Sequence, residues 1–291
     1  LLPPLGWLIL ILTLMVSEQP SAFLLAMGFL GILIIAAIPL FITILRRVPR
    51  PFSIDLDRAK PILHYGMLSM LGTVPQNINL RLDQLLIAAW LPPHVLGLYA
   101  VAVTWSNGLS PLFGGVGMVL FPRLANIADS GQQSEILARN VRLGILMAIV
   151  LVIPLMLVTP FAFSLLFGEP FSAAIPSCLV LVVAGGIAGI NQILEEGLRG
   201  VGRPGLVTLA EVGGLAMTVV GLTFLLRPFQ SMGAAATSLA SYGVTLAVLI
   251  TLVSKQVNVS PLILCVPRRS DIHVFAGRIG SISESLFVRC K

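Results

Sequence analysis

A succession of long apolar segments, separated by short polar turns, restricts this chain more than any other feature. The segments are Leu1–Val16, Ala22–Leu45, Pro61–Leu91, Gly97–Phe121, Val141–Phe163, Phe171–Leu198, Leu206–Leu226 and Met232–Val253. About 20 residues of α-helix cross the roughly 30 Å hydrocarbon core of a bilayer. Lipid offers no partner to a backbone amide, so a chain built of such segments satisfies its own backbone in helices. Charged residues make up only 10% of the chain, against roughly 25% in soluble domains. The expectation is an all-α polytopic membrane protein with about eight transmembrane helices. A length of 291 residues would suggest two soluble domains, but that prior does not apply to a bundle of spans. The chain opens inside an apolar run with neither Met nor a basic stretch ahead of it, so Leu1–Val16 reads as a clipped helix of a longer protein.

The segments fall into two groups. Arg46-Arg47-Val48-Pro49-Arg50, continuing to Arg58 and Lys60, is the most basic loop and the main boundary. The predicted organisation is 1–45 as two helices of an incomplete lobe, 46–60 as a basic linker, 61–254 as a six-helix lobe, and 255–291 as a tail. Phe52–Lys60 is compatible with a short amphipathic segment on the membrane surface. Lys and Arg alternate in number from loop to loop. Arg46, Arg47, Arg50, Arg58, Lys60, Arg123, Arg139, Arg142, Arg199, Arg203 and Lys255 share one side, and Arg227 stands alone on the other. The positive-inside rule makes the first side cytoplasmic, with both chain ends there. The same distribution explains the net charge of +6 without nucleic acid, since the basic residues are not interleaved with aromatics on one surface. Cys178, Cys265 and Cys290 show neither metal nor redox spacing.

One segment carries most of the unusual chemistry. Pro61–Leu91 would be roughly 45 Å long as a helix, so it must tilt, protrude or bend, and Pro75 is the natural bend. It carries Arg81 and Asp83, about 200° apart on a straight helix and unable to pair ideally with each other. Arg81 lies about 15 Å from the outer end, near mid-membrane. Ionisable groups at that depth face protein or a wet cavity. Two readings stand: partners on other helices that hold the bundle together, or a cationic anchor for an anionic substrate beside a carboxylate that takes up a proton or sodium ion. Gln76, Asn79 and Asp83 share a helix face, and Asn77 and Gln84 extend the polar zone. These amides suit sugar hydroxyls or interhelical hydrogen bonds. Glu195 and Arg199 are spaced for an (i, i+4) ion pair, and Glu211 stands among Leu209, Ala210 and Val212 as a candidate ion-coupling residue. His64 and Tyr65 lie near the cytoplasmic start of this helix. Trp90, Tyr99 and Trp105 fit an aromatic belt, with Trp105 set deeper than the others. Gly and Pro along the spans, as at Pro154, Pro160, Gly185-Gly186 and Gly213-Gly214, suit deformable or closely packed helices. No Ser/His/Asp arrangement, metal-ligand cluster, P-loop or catalytic polar loop appears, so no enzyme is expected, and no cofactor beyond a coupling proton or sodium ion.

Five passages in order carry a resemblance. They are Asn79-Leu80-Arg81-Leu82-Asp83-Gln84-Leu85-Leu86-Ile87, Gly97-Leu98-Tyr99-Ala100-Val101-Ala102, Leu120-Phe121-Pro122-Arg123-Leu124-Ala125, Phe167-Gly168 with Ala173-Ala174 and Pro176, and Leu198-Arg199-Gly200-Val201-Gly202-Arg203-Pro204. Together, over about Pro61–Val253, they resemble the bacterial polysaccharide (oligosaccharide-lipid) flippases of the multidrug/oligosaccharidyl-lipid/polysaccharide exporter superfamily. The resemblance implies two six-helix lobes around a central cavity, with residues 61–254 as the C-terminal lobe and the first four helices of the other lobe absent. It also implies alternating-access translocation of undecaprenyl-pyrophosphate-linked oligosaccharide across the bacterial inner membrane for polysaccharide biosynthesis. Arg81 falls on the family's Arg-x-Asp position, which implies contact with the pyrophosphate. Gln76, Asn77 and Asn79 would line the glycan path, and Asp83 and Glu211 would respond to the coupling ion. Expected partners are the lipid-linked oligosaccharide, membrane lipids, the missing lobe helices and polysaccharide polymerase machinery. The alternatives are a cation-coupled multidrug antiporter of the same superfamily and a non-transporting membrane scaffold.

Overall fold

The computed structural model describes residues 6, 22–47, 56–257, 261, 265 and 266. Among them there is no strand; the fold is all α, and the protein is a multi-pass membrane protein. The expectations for Leu1–Val16, for residues 52–55 of the Phe52–Lys60 segment and for most of the tail, including Cys290, lie outside the described residues, while residues 56–60 are helical. The chain divides into two compact units, Leu1–Ala59 and Lys60–Lys291.

In the first unit, α1 is Ala22–Arg47. It ends on Arg46 and Arg47, which favour the negative end of the helix dipole. α2, Leu56–Trp90, then continues through Pro61 and Pro75 as one helix. It starts one turn earlier than the apolar pattern predicts, with Asp57 in its first turn. Pro92 and Pro93 end it and open α3, Pro93–Ser106. A 3₁₀ turn, Asn107–Leu109, joins α3 to α4, Ser110–Ala125, where Pro111 occupies the first turn. Pro111, inside the predicted span Gly97–Phe121, therefore marks a junction between two helices. Proline lacks an amide hydrogen and is tolerated where helix amides have no partner anyway.

α5 is Ser130–Phe167. Asp129 caps it by accepting from the amides of Gly131 (3.2 Å) and Gln132 (3.0 Å). Gly168 ends it at φ +83°, where a side chain would be strained. A 3₁₀ segment, Glu169–Ala174, leads to α6, Ile175–Gly200. The last stretch, Pro204–Val257, breaks at Gln230 (φ 48°, ψ −126°) into α7 (204–229) and α8 (231–257). Unbroken, its 54 residues would run about 80 Å, far beyond a bilayer core, and the break lets it cross twice.

Among the described residues, five stretches are long and apolar enough to cross a membrane: Met27–Arg47, Pro93–Ala125, Ser130–Phe167, Glu169–Gly200 and Pro204–Gln256. α2 is not among them. Its histidine, prolines and cluster of amides dilute the apolar residues that the sequence pattern counted as a span.

α6 is the hub of the second unit and packs on α3, α4, α5 and the α7–α8 pair. Small residues permit this. A Cβ at Gly185 would lie 3.1 Å from the Ser106 carbonyl oxygen, and one at Gly189 would enter the Phe113 ring. The glycines in this helix therefore serve close packing. Two apolar cores result. One gathers Phe113, Leu124, Leu137, Ile193, Leu198 and Val253. The other gathers Ile87, Tyr99, Phe163, Cys178, Leu222 and Leu226. Cys178 is thus a small buried packing residue, as its place in a span predicts.

Candidate functional site

α2 meets the bundle along one stripe: Tyr65, Leu68, Gly72, Gln76, Asn79, Asp83 and Ile87. Steps of three and four keep these residues on a single helix face. The Tyr65 hydroxyl donates to the Arg199 carbonyl oxygen (2.8 Å), and Thr208 donates to that of Leu68 (3.3 Å). The Gln76 amide donates to Glu195 Oε2 (2.8 Å). Asn79, 6% exposed, donates to Ser241 Oγ (3.1 Å) and accepts from the Thr218 hydroxyl. Ser241 passes its own hydrogen to the Gly214 carbonyl oxygen (2.8 Å). Asp83 accepts from the Tyr99 hydroxyl (2.6 Å) and from the Gln84 backbone N–H (2.7 Å). Apart from Ile87, α2 is therefore attached mainly by polar rungs, each of which satisfies a group that would be costly to leave bare in an apolar setting.

The inward face of α2 borders a cavity of about 130 Å³. Gln76, Asn79 and Asp83 line it from α2, Ser106, Asn107 and Ser110 from the α3–α4 junction, and Asn191, Gln192 and Glu195 from α6. Glu211 and Tyr242 close it from α7 and α8. At its acidic end, Glu195 is 1% exposed and Glu211 5%. Their carboxyl groups lie within hydrogen-bonding reach of each other. Arg199 approaches Glu195 Oε2 at 3.6 Å and pairs more closely with Glu196. The predicted Glu195–Arg199 pair is thus present, but it is shared between two acids.

The predicted site residues separate onto two faces of α2. Gln76, Asn79 and Asp83 turn inward to the cavity, and Glu211 reaches it from α7. Arg81 and Asn77 turn outward and do not line it: both are exposed, four residues apart, on the opposite side of the helix. Among the described residues Arg81 makes no hydrogen bond or ion pair, whereas Asn77 donates to its own helix at the Thr73 carbonyl oxygen (2.9 Å). The roughly 200° separation of Arg81 and Asp83 accounts for this division.

Tyr99 needs correction. It is fully buried and bound to Asp83, so it is not a belt residue. Trp105 is also drawn inward, donating to Thr159 Oγ1 (3.0 Å) and meeting Phe163 and Phe167 edge-on. Trp90 remains exposed under the Arg227 guanidinium, 5.5 Å from the ring centroid. Sequence reasoning noted Glu195 only as an ion-pair partner. It missed the residue's place in the cavity and that of Asn191, whose only signal was its spacing of four from Glu195.

A family model described as polysaccharide biosynthesis protein matches residues 5–176. An uncharacterized membrane protein of Methanocaldococcus jannaschii is 26% identical over 186 residues, which is 62% of this chain and 36% of that protein. Among solved structures, an outward-facing multidrug resistance MATE family transporter of the MOP superfamily aligns at TM-score 0.60 and 20% identity, over 74% of this chain and 49% of its own. A MOP superfamily transporter from Pyrococcus furiosus aligns at TM-score 0.53 and 19% identity, over 74% and 49%. At these identities the structures show a common fold. The chain spans about half the length of those transporters and about a third of the archaeal relative.

Proposed function

The chain belongs to the polysaccharide biosynthesis protein family, and from that premise we propose that it serves in moving lipid-linked oligosaccharide across the bacterial inner membrane. Residues 61–254 act as the C-terminal lobe of a two-lobe alternating-access transporter, with the other lobe supplied beyond the helices of this chain. Both chain ends face the cytoplasm. The activity is transport without bond-making chemistry.

One observation carries this reading: α2 holds a second polar stripe, Asn77 and Arg81, on the face turned away from its own bundle. A bare guanidinium and amide on the outward face of a helix in a membrane bundle do not favour lipid; they favour a wet cavity or a facing protein wall. An unpaired guanidinium offers forked donors that match the oxygens of a pyrophosphate. Arg81 anchors that group, and Asn77 beside it meets the first sugar. Gln76 and Asn79 belong to the glycan path through their amides, while Asp83 and Glu211 respond to the coupling ion. Polymerase machinery takes the delivered substrate at the outer face.

A second reading has its own support. Asp83, Glu195 and Glu211 line one cavity in a fold shared with multidrug transporters, and acidic cavities suit drug cations. Export of lipid-linked glycan in cells lacking their own flippase separates the two. The full-length gene should restore export. Arg81→Ala and Arg81→Lys, at normal membrane levels, should not. Export by Arg81→Ala would make the arginine structural, and gain of drug resistance without export would establish the second reading.

A further inference from the structure

We propose that Glu195 and Glu211 form a proton-binding site in which the two carboxyl groups share one exchangeable proton. This deepens the coupling-ion part of the function proposed above and adds a residue, Glu195, to it.

The argument begins with hydrogen bookkeeping. Glu195 is 1% exposed, and its two oxygens have different company. Oε2 accepts from Gln76 at 2.8 Å and has the Arg199 guanidinium at 3.6 Å. Oε1 is buried and has no hydrogen-bond partner. One helical turn back, Asn191 is 3% exposed, and its Oδ1 is likewise buried without a partner. Its orientation is set by Nδ2, which donates to the Tyr242 carbonyl oxygen (3.0 Å). Both residues line the cavity that Glu211 also lines. Against these two unpaired acceptors stands one unpaired donor, the buried Arg199 Nη2, and the neighbouring carboxyl of Glu211 brings more acceptors, so acceptors still outnumber hydrogens. Two bare carboxylates in contact have no hydrogen between them. A single proton turns one into a donor and converts that contact into a strong hydrogen bond.

Charge leads to the same occupant. From α6, Arg199 is shared between Glu195 and Glu196. α7 contributes Glu211, α8 contributes Tyr242, and α2 contributes neutral Gln76, with Asp83 further along the cavity. One guanidinium thus serves two carboxyl groups directly while a third, Glu211, stands beside Glu195, and of the three Glu195 and Glu211 are buried. Like charges so close cannot all be ionised cheaply. A proton removes one charge without needing space. A metal ion would need more ligands than this, and no cluster of three or more His, Cys, Asp or Glu suited to one occurs among the described residues. Asp83 is a poorer candidate because Tyr99 and the Gln84 backbone N–H already satisfy its oxygens. Binding is simple: a proton from the cavity turns one carboxylate into the acid, and its release restores the carboxylate. Gln76 connects the site to α2, since its amide donates to the carboxylate that titrates.

The test uses the full 291-residue chain in phosphatidylethanolamine–phosphatidylglycerol vesicles and reads infrared absorption of protonated carboxyl groups, with exchange into D₂O. The wild type should show an acid carbonyl component that shifts in D₂O and is unaffected by saturating sodium chloride. That component should be lost in Glu195→Gln and in Glu211→Gln but kept in Glu135→Gln, an exposed control. Circular dichroism checks folding. Should Glu195→Gln fail to fold, Glu211→Gln decides alone, loss of the component supporting the site and its persistence overturning it. The site is also overturned if the wild type lacks the component or if sodium abolishes it. Because the spectrum involves no transport, its failure leaves the transport reading standing, and a failed export assay leaves the spectrum intact.

Discussion

α6 and α2 lie in the same lobe and are held by opposite means. α6 is wrapped by α3, α4, α5 and the α7–α8 pair, with glycines letting neighbouring side chains and carbonyls come close. α2 keeps a largely exposed apolar surface at residues such as Leu63, Met67, Met70 and Leu85, and joins the bundle through side-chain hydrogen bonds. Close packing depends on shape and does not respond to protonation or hydration. Polar rungs do respond, because each is an exchange of partners whose net value is small in a membrane, about 0.6 kcal/mol on average. The lobe therefore has a rigid axis and a helix whose attachment is chemically adjustable.

Substitutions should expose this contrast in order. Gly189→Leu forces a side chain into the Phe113 ring, and overpacking of this kind costs about 1–3 kcal/mol or more. It should give the largest fall in thermal unfolding temperature in detergent, and an unchanged temperature would refute α6 as the packed axis. Tyr99→Phe should rank next. It leaves Asp83 Oδ2 buried without its hydroxyl donor, at about 1–3 kcal/mol, and Asp83→Asn placed on top should cost less than it does alone. Trp90→Ala removes the stacking of Arg227, worth roughly 0.5–1 kcal/mol where exposed; the expected result is a small drop and faster hydrogen exchange near the end of α2. Arg81→Ala should change stability by no more than about 0.5 kcal/mol while abolishing export. A large destabilisation there would show that the outward stripe is structural.

Part of this arrangement was legible in residue order. The shared face of Gln76, Asn79 and Asp83 follows from helical spacing, and so does the divergence of Arg81 from Asp83. Junctions at Pro92-Pro93 and Pro111 and the turn at Gly168 follow from backbone restrictions that belong to single residues, whereas α5 starts at Ser130 behind the Asp129 cap, well ahead of the Val141 start that the apolar pattern predicts. The role of Tyr99 was not legible. An aromatic 16 residues from Asp83 fits a belt and a buried donor equally well, and only the fold of α3 against α2 distinguishes them. Glu195 was misjudged for a related reason: its local partner Arg199 is visible in the spacing, while Gln76 and Glu211 lie on other helices.

The sequence by itself determined that the chain is helical, multi-pass and jointed at its prolines and glycines, because apolar run length and backbone chemistry act locally. Its matches over residues 5–176 likewise needed no coordinates to place it in a family. The tertiary structure alone decided which polar groups meet. It turned Asp83 toward Tyr99 and left Arg81 without a partner in its own lobe. It also brought Glu195 and Glu211 into one cavity from different helices. Those pairings depend on how helices rotate and approach each other, a property of packing that no single segment encodes.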